Sequence, residues 1–263
     1  MDIFILANFS NLSYTLIMKI ERQTVVVTGA SRGIGYATAL LFLARGWEVI
    51  SCARNPIAQI DGFDSKLITH IIADLTDTDS LDNFIKEVNS LLEGRPLSAL
   101  INNAGISPKS HNSERLGCLN GDLDAWRDVF ELNFFVPLKL ARGFASSLHK
   151  GQGAIVNLTS IAGHMIHPFA GSAYSSSKAA LSALTREMAN EFAALNVRVN
   201  AVAPGEISTE MIQPEYEMLI PRIPLNRMGT PDDVARSIFY LCSEDSSYVT
   251  GSEIWVTGGQ HMS

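Results

Sequence analysis

Tyr174 and Lys178 stand four residues apart at the start of an alanine-rich segment, and Ser160 closes the apolar run Ala154 to Ser160 just before them. On a helix, positions i and i+4 share a face, so this spacing would bring an ammonium beside a phenol. A free phenol ionises near pH ~10 and is a poor acid or base at neutral pH, whereas a neighbouring cation favours phenolate. The chemistry to expect is proton transfer to or from an oxygen, with the Ser160 hydroxyl orienting and polarising the reacting group. A tyrosine near a lysine is equally what a solvated surface looks like. The spacing gains meaning only if other segments deliver something for it to act on.

Val25 to Gly35 delivers it. The segment reads as a buried strand, a glycine-rich turn and a helix start, with Gly29, Gly33 and Gly35 around Ala30, Ser31, Arg32 and Ile34. Glycine lets a backbone turn tightly and approach a diphosphate with no Cβ in the way, while a helix N-terminus offers free N–H groups and partial positive charge. On the first strand-helix unit of a parallel sheet, such a turn is a dinucleotide cradle.

To bring these groups together, the chain must place several strand ends at one edge. Short β-branched runs alternate with longer helical stretches, the pattern of a parallel sheet with crossover helices on both faces. Strands are expected at Thr24 to Thr28, Glu48 to Cys52, Leu67 to Ala73, Ala99 to Asn102, Gly153 to Thr159, Val197 to Val202 and Glu253 to Thr257. Most are apolar without alternation, as strands buried on both faces are. Helices are expected at Gly33 to Arg45, Thr78 to Leu92, Asp124 to His149, Ala173 to Leu195 and Pro231 to Ser243, the last with Thr230 as N-cap. The expected fold class is α/β, a doubly wound Rossmann-type parallel sheet of about seven strands, forming a single domain over 18–263. Arg54 to Ser65 leaves room only for an abbreviated helix. Residues 206–228, with Pro214, Pro221 and Pro224, read as a mobile flap over a substrate pocket.

In order along the chain stand Thr28 to Gly35, Asp74-Leu75, Asn102 to Gly105, Asn133, Ser160, Tyr174 with Lys178, Pro204 to Thr209 and Val256 to Gly259. On these landmarks the sequence, from about Lys19 to Gly259, resembles the short-chain dehydrogenase/reductase family. The resemblance implies a nicotinamide dinucleotide and reversible hydride transfer between a carbonyl and an alcohol. It implies Tyr174 as the acid in reduction and the base in oxidation. Lys178 would lower the phenol and hydrogen-bond the nicotinamide ribose, and Asn133 would hold a water linking Lys178 to solvent. Carried over in the same way, the cofactor contacts are Gly29, Ser31, Arg32, Gly33, Ile34 and Gly35 at the turn, with Arg54, Asp74 and Leu75 towards the adenine. Asn103, Ala104 and Gly105 lie under the cofactor, and Tyr174, Lys178, Pro204, Gly205, Ile207 and Thr209 lie near the nicotinamide. Asn102 to Gly105 reads as stabilising a strand end rather than reacting.

An NAD enzyme usually ends its second strand with an acidic side chain that binds the ribose 2′-hydroxyl. Here Ala53 stands in that place, followed by Arg54, and Arg32 lies inside the glycine turn. Guanidinium groups pair bidentately with phosphate. The expected cofactor is therefore NADP(H), preferred over NAD(H).

Ser160 and Tyr174 lie one residue further apart than is usual in the family. The loop between them should border the substrate with His164, His167, Pro168 and Phe169, the histidines reading as solvated or hydrogen-bonding residues rather than metal ligands. Ile106 to Asp122, with Lys109, His111 and Arg115, is a second rim. A 3-oxoacyl-acyl-carrier-protein reductase is the alternative enzyme, but Ala145 and Leu195 occupy the positions where such relatives carry basic residues that dock the carrier. A catalytically silent NADP-binding regulator is the alternative of another class, opposed by the intact Asn133, Ser160, Tyr174 and Lys178. A sugar-nucleotide epimerase would be longer, with a different glycine spacing.

A chain of 263 residues with 46% hydrophobic and 18% charged residues is ordinary for a soluble α/β domain. Its net charge of −7 argues against nucleic acid as a partner. Cys52, Cys118 and Cys242 form no disulfide framework or metal motif, so no metal is expected and the chain reads as cytoplasmic. No apolar run is long enough for a membrane span. Residues 1–17 lack a basic signal-peptide start and read as an extension ahead of Met18. The partners expected are a small carbonyl or alcohol substrate and, from the resemblance, copies of the same chain in a homo-oligomer, a tetramer or dimer.

Overall fold

Five consecutive β-branched residues, Thr24–Thr28, form strand β1, and every one of them is buried. Such a strand belongs in the middle of a sheet covered on both faces. The computed structural model describes residues 22–57, 60, 62–109, 115–209 and 214–262 and shows that sheet. The expected extension at 1–17, Met18 and His111 lie outside the described residues.

The strands are β1, β2 (Glu48–Ala53), β3 (Ile68–Ile72), β4 (Ala99–Asn102), β5 (Ala154–Leu158), β6 (Arg198–Pro204) and β7 (Glu253–Val256). They lie in the order β3-β2-β1-β4-β5-β6-β7, with every pair parallel. The chain runs outward from β1 to β3, then returns to β4 on the other side of β1. In a sheet of this kind, ligands bind beyond the strand C-termini at that reversal. Five strand ends therefore converge on one crevice, supplying Gly29, Arg54, Asn103, Ser160 and Gly205.

Helices cover both faces. On one, α1 (Gly33–Ala44) and α7 (Pro231–Cys242) bury Phe42, Leu43, Val234, Ile238 and Leu241 against the sheet. On the other, α2 (Thr78–Leu92) contributes Leu81, Phe84, Val88 and Leu92 to a core shared with Leu140, Phe144 and Met188. Thr230 caps α7 as expected: its hydroxyl accepts from the Asp233 N–H, and the Asp233 carboxylate accepts from the Thr230 N–H.

The single helix expected over Asp124 to His149 is instead divided. It comprises α3 (Leu123–Phe130), a π-helical turn at Glu131–Phe135, α4 (Val136–Gly143) and α5 (Ala145–Gly151). Pro137 explains the first break, because proline has no N–H to offer the carbonyl of residue 133 and its ring crowds that carbonyl. The wider turn accommodates both faults, and Asn133 is buried within it. The long helix α6 (Ser172–Phe192) follows unbroken and carries Tyr174 and Lys178 in its first two turns.

One polar chain crosses the buried sheet. Asn102 and Asn157 are register partners on β4 and β5, and the Asn102 amide donates to Asn157 Oδ1 at 2.8 Å. Asn157 Nδ2 donates in turn to Thr185 Oγ1 on α6 at 2.9 Å.

Candidate active site

The crevice at the strand ends is a cavity of about 740 Å³, within the range of small-molecule sites. Among the catalytic and cofactor-binding residues expected from sequence, all but Gly35 and Asn133 line it. Those two act from behind the wall.

The glycine turn is built for close approach. Gly29 has φ +66°, and a Cβ there would stand 2.9 Å from Ala104 Cα and from Asn103 Nδ2. A Cβ on Gly35 would collide with the Gly29 carbonyl and the Asn103 amide. Asn103 is the reason for this crowding: its Nδ2 donates to the carbonyls of Thr28 (2.8 Å) and Gly29 (3.1 Å). Thr28 Oγ1 reciprocates, accepting from the N–H groups of Asn103 and Ala104, both at 3.0 Å. The first and fourth strand ends are thereby fastened together, in the supporting role expected of the Asn102 to Gly105 segment. A diphosphate fits such a bare backbone cradle at the N-terminus of α1.

At the far end of the cavity, Ala53 closes β2 with no carboxylate, and Arg54 follows it on the wall. Asp74 Oδ1 accepts from the Thr76 hydroxyl (2.7 Å) and the Thr76 N–H (2.9 Å). These bonds, and then the Arg54 charge, hold its carboxyl below the usual range. Asp74 is therefore anionic and fixed.

Ser160, Tyr174 and Lys178 meet on the opposite wall. Lys178 is 3% exposed, and its Nζ donates to the Leu158 carbonyl at 2.6 Å. Burial pushes its ammonium down to about 8, so the cation persists at neutral pH. Spacing alone led to the expectation that this cation would lower the Tyr174 phenol. The net direction is the reverse, although Nζ, turned to Leu158, still lies 5.7 Å from the phenol ring centre. Burial pushes the phenol up, the Ser160 hydrogen bond opposes the rise, and the charge of Glu206 adds to it. Desolvation thus dominates over attraction.

Asn133 is fully buried on the π turn. Its Oδ1 accepts from the Ile106 N–H at 2.9 Å, and its Nδ2 donates to the Ile106 carbonyl and to Ser177 Oγ, both at 3.0 Å. Gly105 is the spacer between Asn133 and Lys178: a Cβ on it would lie 3.1 Å from Asn133 Oδ1 and 3.4 Å from Lys178 Nζ.

The two loop histidines divide. His164 pairs with Glu253 at 3.0 Å and rests on Trp255, away from the cavity. His167 is buried, lines the cavity and bonds Glu206. Glu206, buried between Gly205 and Ile207, is the functional candidate that sequence reasoning passed over. The available signal was an ionisable residue directly after a Pro-Gly turn at a strand end. Tyr216, from the segment Pro214–Arg222, completes the rim with Phe169 and Lys109. Within 206–228, Glu206, Ile207, Thr209 and Tyr216 line the cavity. Among the described residues, no group of three or more histidines, cysteines or carboxylates could hold a metal, and no helix is long and apolar enough to cross a membrane.

A family model described as Enoyl-(Acyl carrier protein) reductase matches residues 29–261. A solved oxidoreductase of the short chain dehydrogenase/reductase family from Brucella ovis, in complex with a partially ordered NAD, is 45% identical. It superposes with a TM-score of 0.76, covering 90% of this chain and 100% of that one. The chain belongs to the short-chain dehydrogenase/reductase family. Members act as oxidoreductases on CH–OH groups. Protein FixR of Bradyrhizobium diazoefficiens is 50% identical over 247 residues, 92% of this chain and 88% of that protein. Galactitol 2-dehydrogenase (L-tagatose-forming) of Cereibacter sphaeroides is 33% identical over 259 residues, 94% of this chain and 98% of that protein.

Proposed function

We propose that the protein interconverts a small carbonyl compound and its secondary alcohol, using NADP(H) in preference to NAD(H). The observation that carries this reading is a single cavity with a bare glycine cradle on one wall and Ser160, Tyr174 and Lys178 on the other. When bound, the nicotinamide supplies or accepts the hydride. The chain's own residues handle the proton. In reduction, Tyr174 Oη, held neutral by burial, gives its proton to the substrate oxygen, and the Ser160 hydroxyl hydrogen-bonds that same oxygen as charge develops on it. The buried Lys178 ammonium offsets the negative charge left on Tyr174. Asn133 has both its N–H groups engaged, which leaves one Oδ1 lone pair for a water connecting Lys178 to solvent.

The preference for NADP(H) rests on Ala53, which offers no carboxylate to repel a 2′-phosphate, and on Arg54 and Arg32 beside it on the wall. The relative from Brucella ovis carries NAD, so the ratio of kcat/KM for NADPH and NADH is the decisive measurement. A role on acyl-carrier substrates is disfavoured, because Ala145 and Leu195 pack against the core instead of offering a basic docking face. A homo-oligomer remains the proposed assembly, testable by its light-scattering mass. The central test is Tyr174→Phe, expected to lower kcat by about 10²- to 10⁴-fold while NADPH fluorescence on binding stays near wild type. Wild-type turnover by this variant would overturn the mechanism.

A further inference from the structure

Glu206 is 4% exposed, follows the turn that ends β6, and lines the cavity with Tyr174. A carboxylate withdrawn from water requires donors for its lone pairs. Two are present, and both serve one oxygen: His167 Nε2 reaches Oε1 at 2.8 Å and Gln260 Nε2 reaches it at 3.1 Å. The state of the imidazole follows from its other nitrogen. His167 Nδ1 accepts from the backbone N–H groups of Phe169 (3.2 Å) and Ala170 (3.1 Å), so it carries no proton. The neutral ring therefore bears its hydrogen on Nε2 and donates it to Glu206. The bond fixes the carboxylate without neutralising it. Among the described residues, no lysine or arginine forms an ion pair with Glu206, and Oε2 has no hydrogen-bond partner. Oε2 is accessible, on a residue that lines the cavity.

A rigid acceptor with one uncommitted oxygen selects for a donor. The chemistry of the surroundings narrows which donor. An anionic substituent would be repelled by Glu206 itself, and a purely apolar one would leave Oε2 desolvated and unpaired. An ammonium would enter a cavity already lined by the buried Lys178 cation. A neutral hydroxyl meets none of these penalties. We infer that Glu206 is a specificity-determining residue that accepts a hydrogen bond from a hydroxyl on a carbon neighbouring the reacting one. The substrates are then vicinal diols, polyols or their hydroxyketones. This inference rests on the carbonyl-alcohol reading of the site and deepens it.

Matched pairs test it. Oxidation of trans-1,2-cyclohexanediol against cyclohexanol, and of 2,3-butanediol against 2-butanol, is followed by NADPH formation, with trans-2-aminocyclohexanol as the cationic analogue. Wild type is expected to favour each diol over its mono-ol in kcat/KM by on the order of ten- to a hundredfold, the worth of a hydrogen bond to a charged acceptor. Glu206→Leu should collapse that ratio towards one, and Glu206→Gln, which keeps the size and one acceptor oxygen, should retain an intermediate value. Thermal melting and NADPH binding establish that the variants fold. If Glu206→Leu does not fold, the wild-type and Glu206→Gln ratios decide. A wild-type ratio near one, an unchanged ratio in the folded variants, or a preference for the amino alcohol overturns the role of Glu206 while leaving the oxidoreductase reading intact. Absence of turnover with every alcohol and with the corresponding ketones overturns both.

Discussion

Replacing Lys178 by methionine is expected to abolish an alkaline rise in the stability of the fold. Burial lowers the Lys178 ammonium from 10.5 to about 8. Between those two values the unfolded chain binds a proton that the folded protein does not, so stability must climb with pH across that window and level off outside it. At about 1.4 kcal/mol per unit, the displacement amounts to about 3 kcal/mol. Other groups act in the opposite sense on the alkaline side: burial pushes the Cys52 and Cys242 thiols up to about 12, and Tyr174 is also raised. Their unfolded counterparts ionise first, which lowers stability as pH rises. These groups persist in Lys178→Met, so the difference between wild type and variant isolates the lysine. Urea unfolding followed by tryptophan fluorescence, in steps from pH 7 to pH ~10.5, should give a wild-type-minus-variant difference that rises by about 3 kcal/mol. Near pH 7 the two proteins should be of similar stability, because relief of burial is offset by loss of the hydrogen bond to Leu158, itself worth roughly 1.5–3 kcal/mol. Parallel curves would refute the reasoning, since they would mean that Lys178 titrates alike in the folded and unfolded chain.

Gly105→Ala places a methyl 3.1 Å from Asn133 Oδ1 and 3.4 Å from Lys178 Nζ, and should cost about 1–3 kcal/mol in urea unfolding and lower kcat more than it raises KM. Arg54→Asp should shift the NADPH-to-NADH ratio of kcat/KM towards NADH by roughly ten- to a hundredfold, and an unchanged ratio would contradict a 2′-phosphate contact. Since burial keeps the Tyr174 phenol protonated beyond its ordinary range, reduction should remain efficient at neutral pH. Alcohol oxidation, which needs the deprotonated form, should accelerate as pH rises from 7 into the alkaline region. An oxidation optimum at or below neutrality would count against Tyr174 as the base.

Much of the fold is written in local pattern. Strands such as Thr24–Thr28 and Ala99–Asn102 are short apolar runs whose burial on both faces needs no partner to be inferred, and α2 begins and ends where its residues say. The helix broken at Glu131–Phe135 shows where pattern stops, because a proline four residues after Asn133 could kink, end or widen the helix, and only the fold selects the π turn. Tyr174, Lys178 and Ser160 were legible because residue type and spacing state their chemistry. The direction in which Tyr174 is displaced was not, since it depends on depth of burial and on the charge of Glu206. The His167–Glu206 bond joins residues 39 apart with no periodicity between them, so only the folded chain reveals it.

The amide pair between β4 and β5 has a consequence for assembly. Parallel strands rich in valine and isoleucine can slide past one another with little loss of apolar contact, each residue of slip moving a strand by roughly 3.3 Å. A slip here would set Asn102 against Val156 or Leu158 in place of Asn157, stranding two buried amides at roughly 1–3 kcal/mol each. Beyond Asn102 the chain continues into Asn103 and Gly105, and beyond β5 into Ser160. Asn102 and Asn157 therefore act as an indexing pin: by penalising misaligned pairings, they set the distance between the glycine cradle and Ser160.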